Sequence, residues 1–206
     1  MQDIVTYIPG FIQSEAATRL FRLLKHDTPW NHVRYQKPWG TVFTPRLTNC
    51  YGYHDDNPET VSGVDPRAIP DYLQELMDSV TEQISAAFNY VLMSYYRDGR
   101  DSISWHSDDE KFLGPEPTIA SISLGGERRF LLRNKETREK QEFQLGHGDL
   151  LVMHGRCQAD WEHHVPKTAK AVDPRINLTF RNAQNIAGSK NYYHYNVGVN
   201  MEAHDA

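Results

Sequence analysis

The sequence predicts an α+β protein whose core is an antiparallel sandwich or jelly roll of short strands, with helices confined to the N-terminal side. Three observations carry this expectation. Apolar residues recur at helical spacing in two N-terminal stretches, at period two in short segments of the C-terminal half, and no helical stretch separates those segments. A chain of 206 residues suits one domain with a sizeable core and is short for two.

Each element has its own justification. Ser14 is read as an N-cap, and Ala17, Leu20, Phe21 and Leu24 then keep one helical face until "HDTPW", which predicts a helix over about 15–26. From "YQKPWG" to "VDP", Pro38, Gly40, Pro45, Gly52, Pro58, Gly63 and Pro66 punctuate β-prone pieces, so loops and hairpins are expected. Leu73, Leu76, Met77, Val80, Ile84 and Phe88 keep one face of a second helix over Asp71–Phe88. Then come the strand-like segments "YVLMSYY", "SISWHSD", "TIASISL", "RRFLLRN", "KQEFQL", "DLLVMH" and "RINLTFR", parted by "DG", "GPEP", "GG" and "GHG".

Composition excludes several classes. A 39% hydrophobic content fits a globular protein, and no stretch approaches the ~20 apolar residues of a membrane span. "MQDIVTYIPGF" lacks a secretory signal, so an intracellular address, cytoplasm or nucleus, is expected. Cys50 and Cys157 make neither a disulfide framework nor a C-x-x-C pair. The formal charge of −5 speaks against a generally basic surface that coats nucleic acid.

Chemistry concentrates in "SWHSDDE". On a strand, His106 and Asp108 share a face roughly 7 Å apart, which suits two ligands of one metal. A third ligand is available far along the chain in "DWEHHVPK", from His163 or His164. Two histidines and a carboxylate with open positions are the donor set of non-haem Fe(II) oxygenases. An H-E-x-x-H helix is absent, Ser107, His106 and Asp108 cannot converge as a triad, and an EF-hand loop from Asp98 has its glycine misplaced. "RINLTFR" puts Arg175, Asn177, Thr179 and Arg181 on one strand face, either solvated or turned to bind a diacid such as 2-oxoglutarate through guanidinium forks.

With those residues in place, the chain resembles the AlkB-type Fe(II)/2-oxoglutarate dioxygenases, particularly the eukaryotic-like DNA and RNA repair demethylases. The resemblance runs over about residues 45–181, through "PRLTNCYG", "FNYVLMSYYRDGRDSISWHSDDE", "IASISLGGERRF", "LGHGDLLVM", "DWEHHVPK" and "RINLTFR". It implies a double-stranded β-helix (jelly roll) core over 89–182, with helices and a hairpin or loop substrate lid over 1–88 and a C-terminal extension over 183–206. It implies iron held by His106, Asp108 and His163, with His164 alternating to the opposite face. It implies 2-oxoglutarate held by Arg175, assisted by Arg181, Asn177, Tyr96 and Ser94, and O2 as the oxidant. Ser94 stands where the family's pattern has asparagine.

The implied reaction is oxidative demethylation of 1-methyladenine- or 3-methylcytosine-type bases in DNA or RNA, single strands preferred, releasing formaldehyde, succinate and CO2. Glu110 is expected to approach the flipped base, Trp39, Tyr51 and Tyr53 to wall it, and Arg46 and Arg128 to contact substrate. "YGYHDDNPETVSGVDP" departs from the family's tyrosine-rich lid and adds Asp55, Asp56, Glu59 and Asp65. "ERRFLLRNKETREKQ" carries six cations that either grip phosphates or decorate a solvated hairpin. The alternatives are the same iron chemistry on a small molecule or protein, and a binding module that has lost turnover.

Overall fold

The computed structural model describes residues 4–52 and 68–184. Its larger sheet has six strands in the order β1 (Val5–Ile8), β10 (Leu150–Met153), β7 (Ile119–Gly125), β12 (Arg175–Arg181), β5 (Tyr90–Tyr96) and β4 (Leu47–Gly52). The smaller sheet has four, in the order β6 (Ile103–His106), β11 (Trp161–Val165), β8 (Arg128–Asn134) and β9 (Lys140–Leu145). Neighbouring strands pair antiparallel throughout, and β2 (Arg34–Lys37) with β3 (Gly40–Phe43) forms a separate hairpin. This is the expected jelly roll, two facing sheets with helices on one side.

Period-two alternation decides what each face of the larger sheet does. Val91 and Met93 on β5, Ile176, Leu178 and Phe180 on β12, and Ala120, Ile122 and Leu124 on β7 pack against α1 (Ser14–Asp27) and α2 (Asp71–Ile84) through Ala17, Leu24, Leu73, Met77 and Val80. The opposite face meets the smaller sheet, where Tyr90, Tyr96, Ile119, Leu151 and Met153 join Phe130, Leu132, Leu145, Trp161 and Val165 in a second apolar cluster. Arg175, Asn177, Thr179 and Arg181 therefore lie between the sheets rather than on a solvated exterior. Among the described residues no helix is long and apolar enough to cross a membrane.

Three sequence expectations need correction. The N-terminal portion is not helices and lid alone, because β1 and β4 complete the larger sheet at its two edges. The second helix stops at Ile84: Ser85 takes a left-handed conformation (φ 56°), and its amide bonds the Thr81 carbonyl at 2.8 Å. Phe88 continues the apolar pattern because it packs on Phe180 with ring centroids 6.3 Å apart, beyond the helix. Ser14 is the first helical residue, and Gln13 precedes it without a side-chain cap.

Gly125 ends β7 at φ +88°, where the Gly126 amide bonds the Pro174 carbonyl at 2.9 Å. A Cβ at Gly125 would collide with that carbonyl and with the Phe21 ring. The missing side chain lets the turn before β12 approach, and so sets where Arg175 enters the sheet.

Candidate active site

Antiparallel pairing of β6 with β11 places His106 directly opposite His163, with ring centroids 4.1 Å apart. Strand β6 ends at His106, and the loop that follows turns Asp108 inward. The Asp108 amide donates to Gln158 Oε1 at 2.8 Å, on α3 (Cys157–Asp160), and the Ser107 hydroxyl donates to the Trp161 carbonyl at 2.9 Å. His106 Nε2 lies 3.8 Å from Asp108 Oδ1, and His163 Nε2 lies 4.0 Å from Asp108 Oδ2. One ligand atom from each of the three lies within 4.8 Å of the others.

The donor chemistry fits a divalent transition metal. His106 Nδ1 sits 2.8 Å from the Ser104 carbonyl, which fixes the Nδ1–H tautomer and leaves the Nε2 lone pair facing Asp108. Burial, reinforced by His106, pushes His163 down to about 3, so its imidazole stays neutral and able to ligate. Burial pushes the Asp108 carboxyl up, but Arg181, His163 and His106 together outweigh it and hold the group below its ordinary value. Arg181 Nη2 is 2.8 Å from Asp108 Oδ1 and its Nη1 is 3.6 Å from Glu110 Oε1.

Beside these residues lies a cavity of about 420 Å³, lined among others by Arg46, Ser94, Tyr96, Glu110, Asn177 and Arg181. Arg175 is fully buried behind it, its guanidinium carbon 5.2 Å from the Tyr96 ring centroid. Its Nη2 donates to Ser123 Oγ at 2.8 Å and to Asn177 Oδ1 at 3.1 Å, whereas Nε and Nη1 have no hydrogen-bond partner. Burial lowers its pKa to about 10, which still leaves it a cation at neutral pH. A buried guanidinium with two unused donors and no carboxylate partner among the described residues is a site for a carboxylate from outside the chain. Asn177 donates to Ser121 Oγ at 2.9 Å, and Ser94 Oγ accepts from Arg46 Nε at 3.2 Å.

The other expected substrate contacts divide. Glu110 lines the cavity, and its buried Oε2 has no hydrogen-bond partner among the described residues. Burial, followed by the charge of Asp108, raises its pKa, while Arg181 opposes the rise. Arg46 also lines the cavity. Tyr51 is a correction: alternation along β4 sends Cys50 toward the smaller sheet and Tyr51 into the helix-side core, where it is buried. Arg128 is a second, since it is 4% exposed and gives its donors to the carbonyls of Asp98, Asp101 and Pro166. Trp39 sits at the turn between β2 and β3, 80% exposed and outside the cavity lining. Tyr53 and the acidic residues Asp55, Asp56, Glu59 and Asp65 lie outside the described residues.

The basic stretch around β8 is largely neutralised across strands. Arg129 pairs with Glu142 at 2.7 Å, Arg138 with Glu162 at 3.4 Å, and Lys135 donates to the Gln158 and Ala159 carbonyls. Asp109 faces away from the metal residues, 3.9 Å from Lys135. His164 also points outward and stacks on Trp105. Sequence reasoning missed Gln158, Phe130 and Met153. The alternation of "RRFLLRN" sets Phe130 apart from its charged neighbours, but nothing in "RCQAD" marks Gln158 as the anchor of the Asp108 amide.

Comparison with known proteins agrees with this geometry. Residues 4–181 match the family described as the 2OG-Fe(II) oxygenase superfamily. The chain is 39% identical over 189 residues to the alpha-ketoglutarate-dependent dioxygenase alkB homolog 3 of Mus musculus, covering 86% of this chain and 65% of that protein. It is 39% identical over 180 residues to the DNA oxidative demethylase ALKBH2 of Mus musculus, covering 80% of this chain and 74% of that protein. The solved structure of OsALKBH1 superposes with a TM-score of 0.67 at 17% identity, over 88% of this chain and 99% of that one, a likeness of fold. The chain thus spans just under two thirds of the length of its alkB homolog 3 relatives.

Proposed function

The chain belongs to the 2OG-Fe(II) oxygenase superfamily and, within it, to the AlkB-type dioxygenases, and we propose that it is an oxidative demethylase of N-methylated bases in DNA or RNA. The observation that carries this is the juxtaposition of the His106, Asp108 and His163 donors with the buried, half-satisfied guanidinium of Arg175. His106, Asp108 and His163 would hold Fe(II). Arg175 would pair with the distal carboxylate of 2-oxoglutarate, its guanidinium held by Ser123 and Asn177 and packed against the Tyr96 ring. Arg181 locks the Asp108 carboxylate in its ligating orientation, and Ser94 with Arg46 borders the co-substrate.

When bound, iron, 2-oxoglutarate and O2 supply the oxidation of an N-methyl carbon, with succinate and CO2 formed from the diacid and formaldehyde released from the hydroxymethylated base. The residues of the chain orient the base and exclude water. Glu110 presents an unpaired carboxylate oxygen to the cavity, suited to the positive ring of 1-methyladenine or 3-methylcytosine or to an exocyclic amine. Trp39, 80% exposed at the turn of the hairpin, offers an aromatic face on which an unpaired base can stack. Single strands are therefore the preferred substrate, and similarity to a relative named DNA oxidative demethylase ALKBH2 supports a nucleic-acid target.

The test is succinate formation from 2-oxoglutarate with Fe(II), with and without methylated single-stranded oligonucleotide. Stimulation by the methylated oligonucleotide and not by its unmethylated twin is the expected result. Turnover above a His106→Ala control that is indifferent to any oligonucleotide would keep the oxygenase and reject the substrate. No turnover above that control would mark a binding module.

A further inference from the structure

The immediate chain neighbours of the two histidine ligands form a cluster of their own on the outer face of the smaller sheet. Trp105 and His164 stack with ring centroids 4.8 Å apart and planes 15° from parallel. The Arg133 guanidinium lies 4.1 Å from the Trp105 ring centroid and is held in turn by Glu162, Nε to Oε1 at 2.7 Å. None of these four residues lines the cavity.

The stack sits on an irregularity in the pairing of β6. His106 pairs with His163 and Ile103 with Val165, so Ser104 and Trp105 together face the single residue His164. That is a β-bulge. Its consequence is directional, because Ile103 and His106 are three residues apart and a regular strand would send them to opposite faces. Here both line the cavity. The bulge is what turns His106 inward, and the Ser104 carbonyl inside it receives the His106 Nδ1–H at 2.8 Å.

Strand β6 is anchored at both flanks, by the Ser102 amide on the Pro45 carbonyl and by the Ser107 hydroxyl on the Trp161 carbonyl, but the bulge lies between those anchors. The strand is four residues long and lies at the edge of its sheet, paired on one side only. Register is weakly specified in a short edge strand, and a slip of one residue within the bulge would carry His106 away from His163. We propose that Trp105 and His164, backed by Arg133, are positioning residues that clamp this bulge from the outside and so hold His106 in its metal-binding orientation. Cross-strand aromatic and cation–π contacts are the kind of interaction that fixes such a register.

The proposal rests on the reading of His106, Asp108 and His163 as a metal site, and Co(II) alone, added to the full chain, separates the two. Wild type is expected to bind Co(II) with visible absorption bands, and His106→Ala to lose them. Trp105→Ala and His164→Ala should bind Co(II) about tenfold or more weakly with altered bands, while circular dichroism and the metal-free melting transition show that the fold persists. Trp105→Phe, which keeps a ring, should restore most of the affinity. Wild-type affinity and spectrum in both alanine variants would overturn the clamp and leave the metal site standing. Failure of wild type to bind Co(II) would overturn both. If Trp105→Ala does not fold, His164→Ala decides, since its side chain is already partly exposed.

Discussion

Arg175 is the residue whose surroundings are hardest to explain without a ligand. It is completely buried, yet Nε and Nη1 have no hydrogen-bond partner among the described residues, an arrangement that costs stability unless a carboxylate arrives. Replacing it by Met should remove charge-assisted hydrogen bonds worth on the order of 2 kcal/mol. The KM for 2-oxoglutarate should then rise about 30-fold, read from initial rates at saturating oligonucleotide. Arg175→Lys keeps the charge, loses the fork, and should recover only part of the loss. That His106, Asp108 and His163 come together was legible in the sequence because H-x-D and a distant histidine have few other uses in one chain. The fates of Tyr51 and Arg128 were not. Tyr51 is one step out of phase with the inner face of β4, and Arg128 is consumed by carbonyls from two loops remote in sequence.

Elements carry the site into register. The Gly125 turn lets the strand that begins with Arg175 approach, and Gly125→Ala forces a collision at a left-handed φ. Destabilisation by more than about 1 kcal/mol is expected, measured by chemical denaturation, together with a raised KM for 2-oxoglutarate. A change in the β2–β3 hairpin should do the reverse. Trp39→Ala removes an exposed ring, so stability should hold while oligonucleotide affinity falls by the ~1–3 kcal/mol of one stacked base, read by fluorescence anisotropy. Strands β5, β8, β9 and β12 coincide with their sequence segments because alternation and flanking turns bound them sharply. The bulge in β6 had no such signal: "SISWHSD" alternates without a break, and only the partner strand reveals that two residues face one.

At the scale of the whole molecule, two facing sheets enclose a cavity that His106, Asp108 and His163 line together with Glu110, Asn177 and Arg181. Its sandwich class follows from strand spacing and the lack of intervening helices. That the polar face of β12 turns inward follows only from packing, because the same alternation suits a solvated exterior. Charge sets the limit on binding. The chain carries a formal −5, and the cations of β8 are mostly paired with carboxylates. Few phosphates are therefore neutralised, and the logarithm of affinity should fall against the logarithm of salt by only about −0.7 for each one on a single strand. The most direct measurement of what the cavity does is mass spectrometry of single-stranded oligonucleotides bearing 1-methyladenine or 3-methylcytosine, incubated with protein, Fe(II), ascorbate and 2-oxoglutarate. The result expected is loss of one CH2 unit per lesion, abolished in Asp108→Ala. Unchanged oligonucleotide mass, with succinate still forming, would contradict nucleic-acid demethylation.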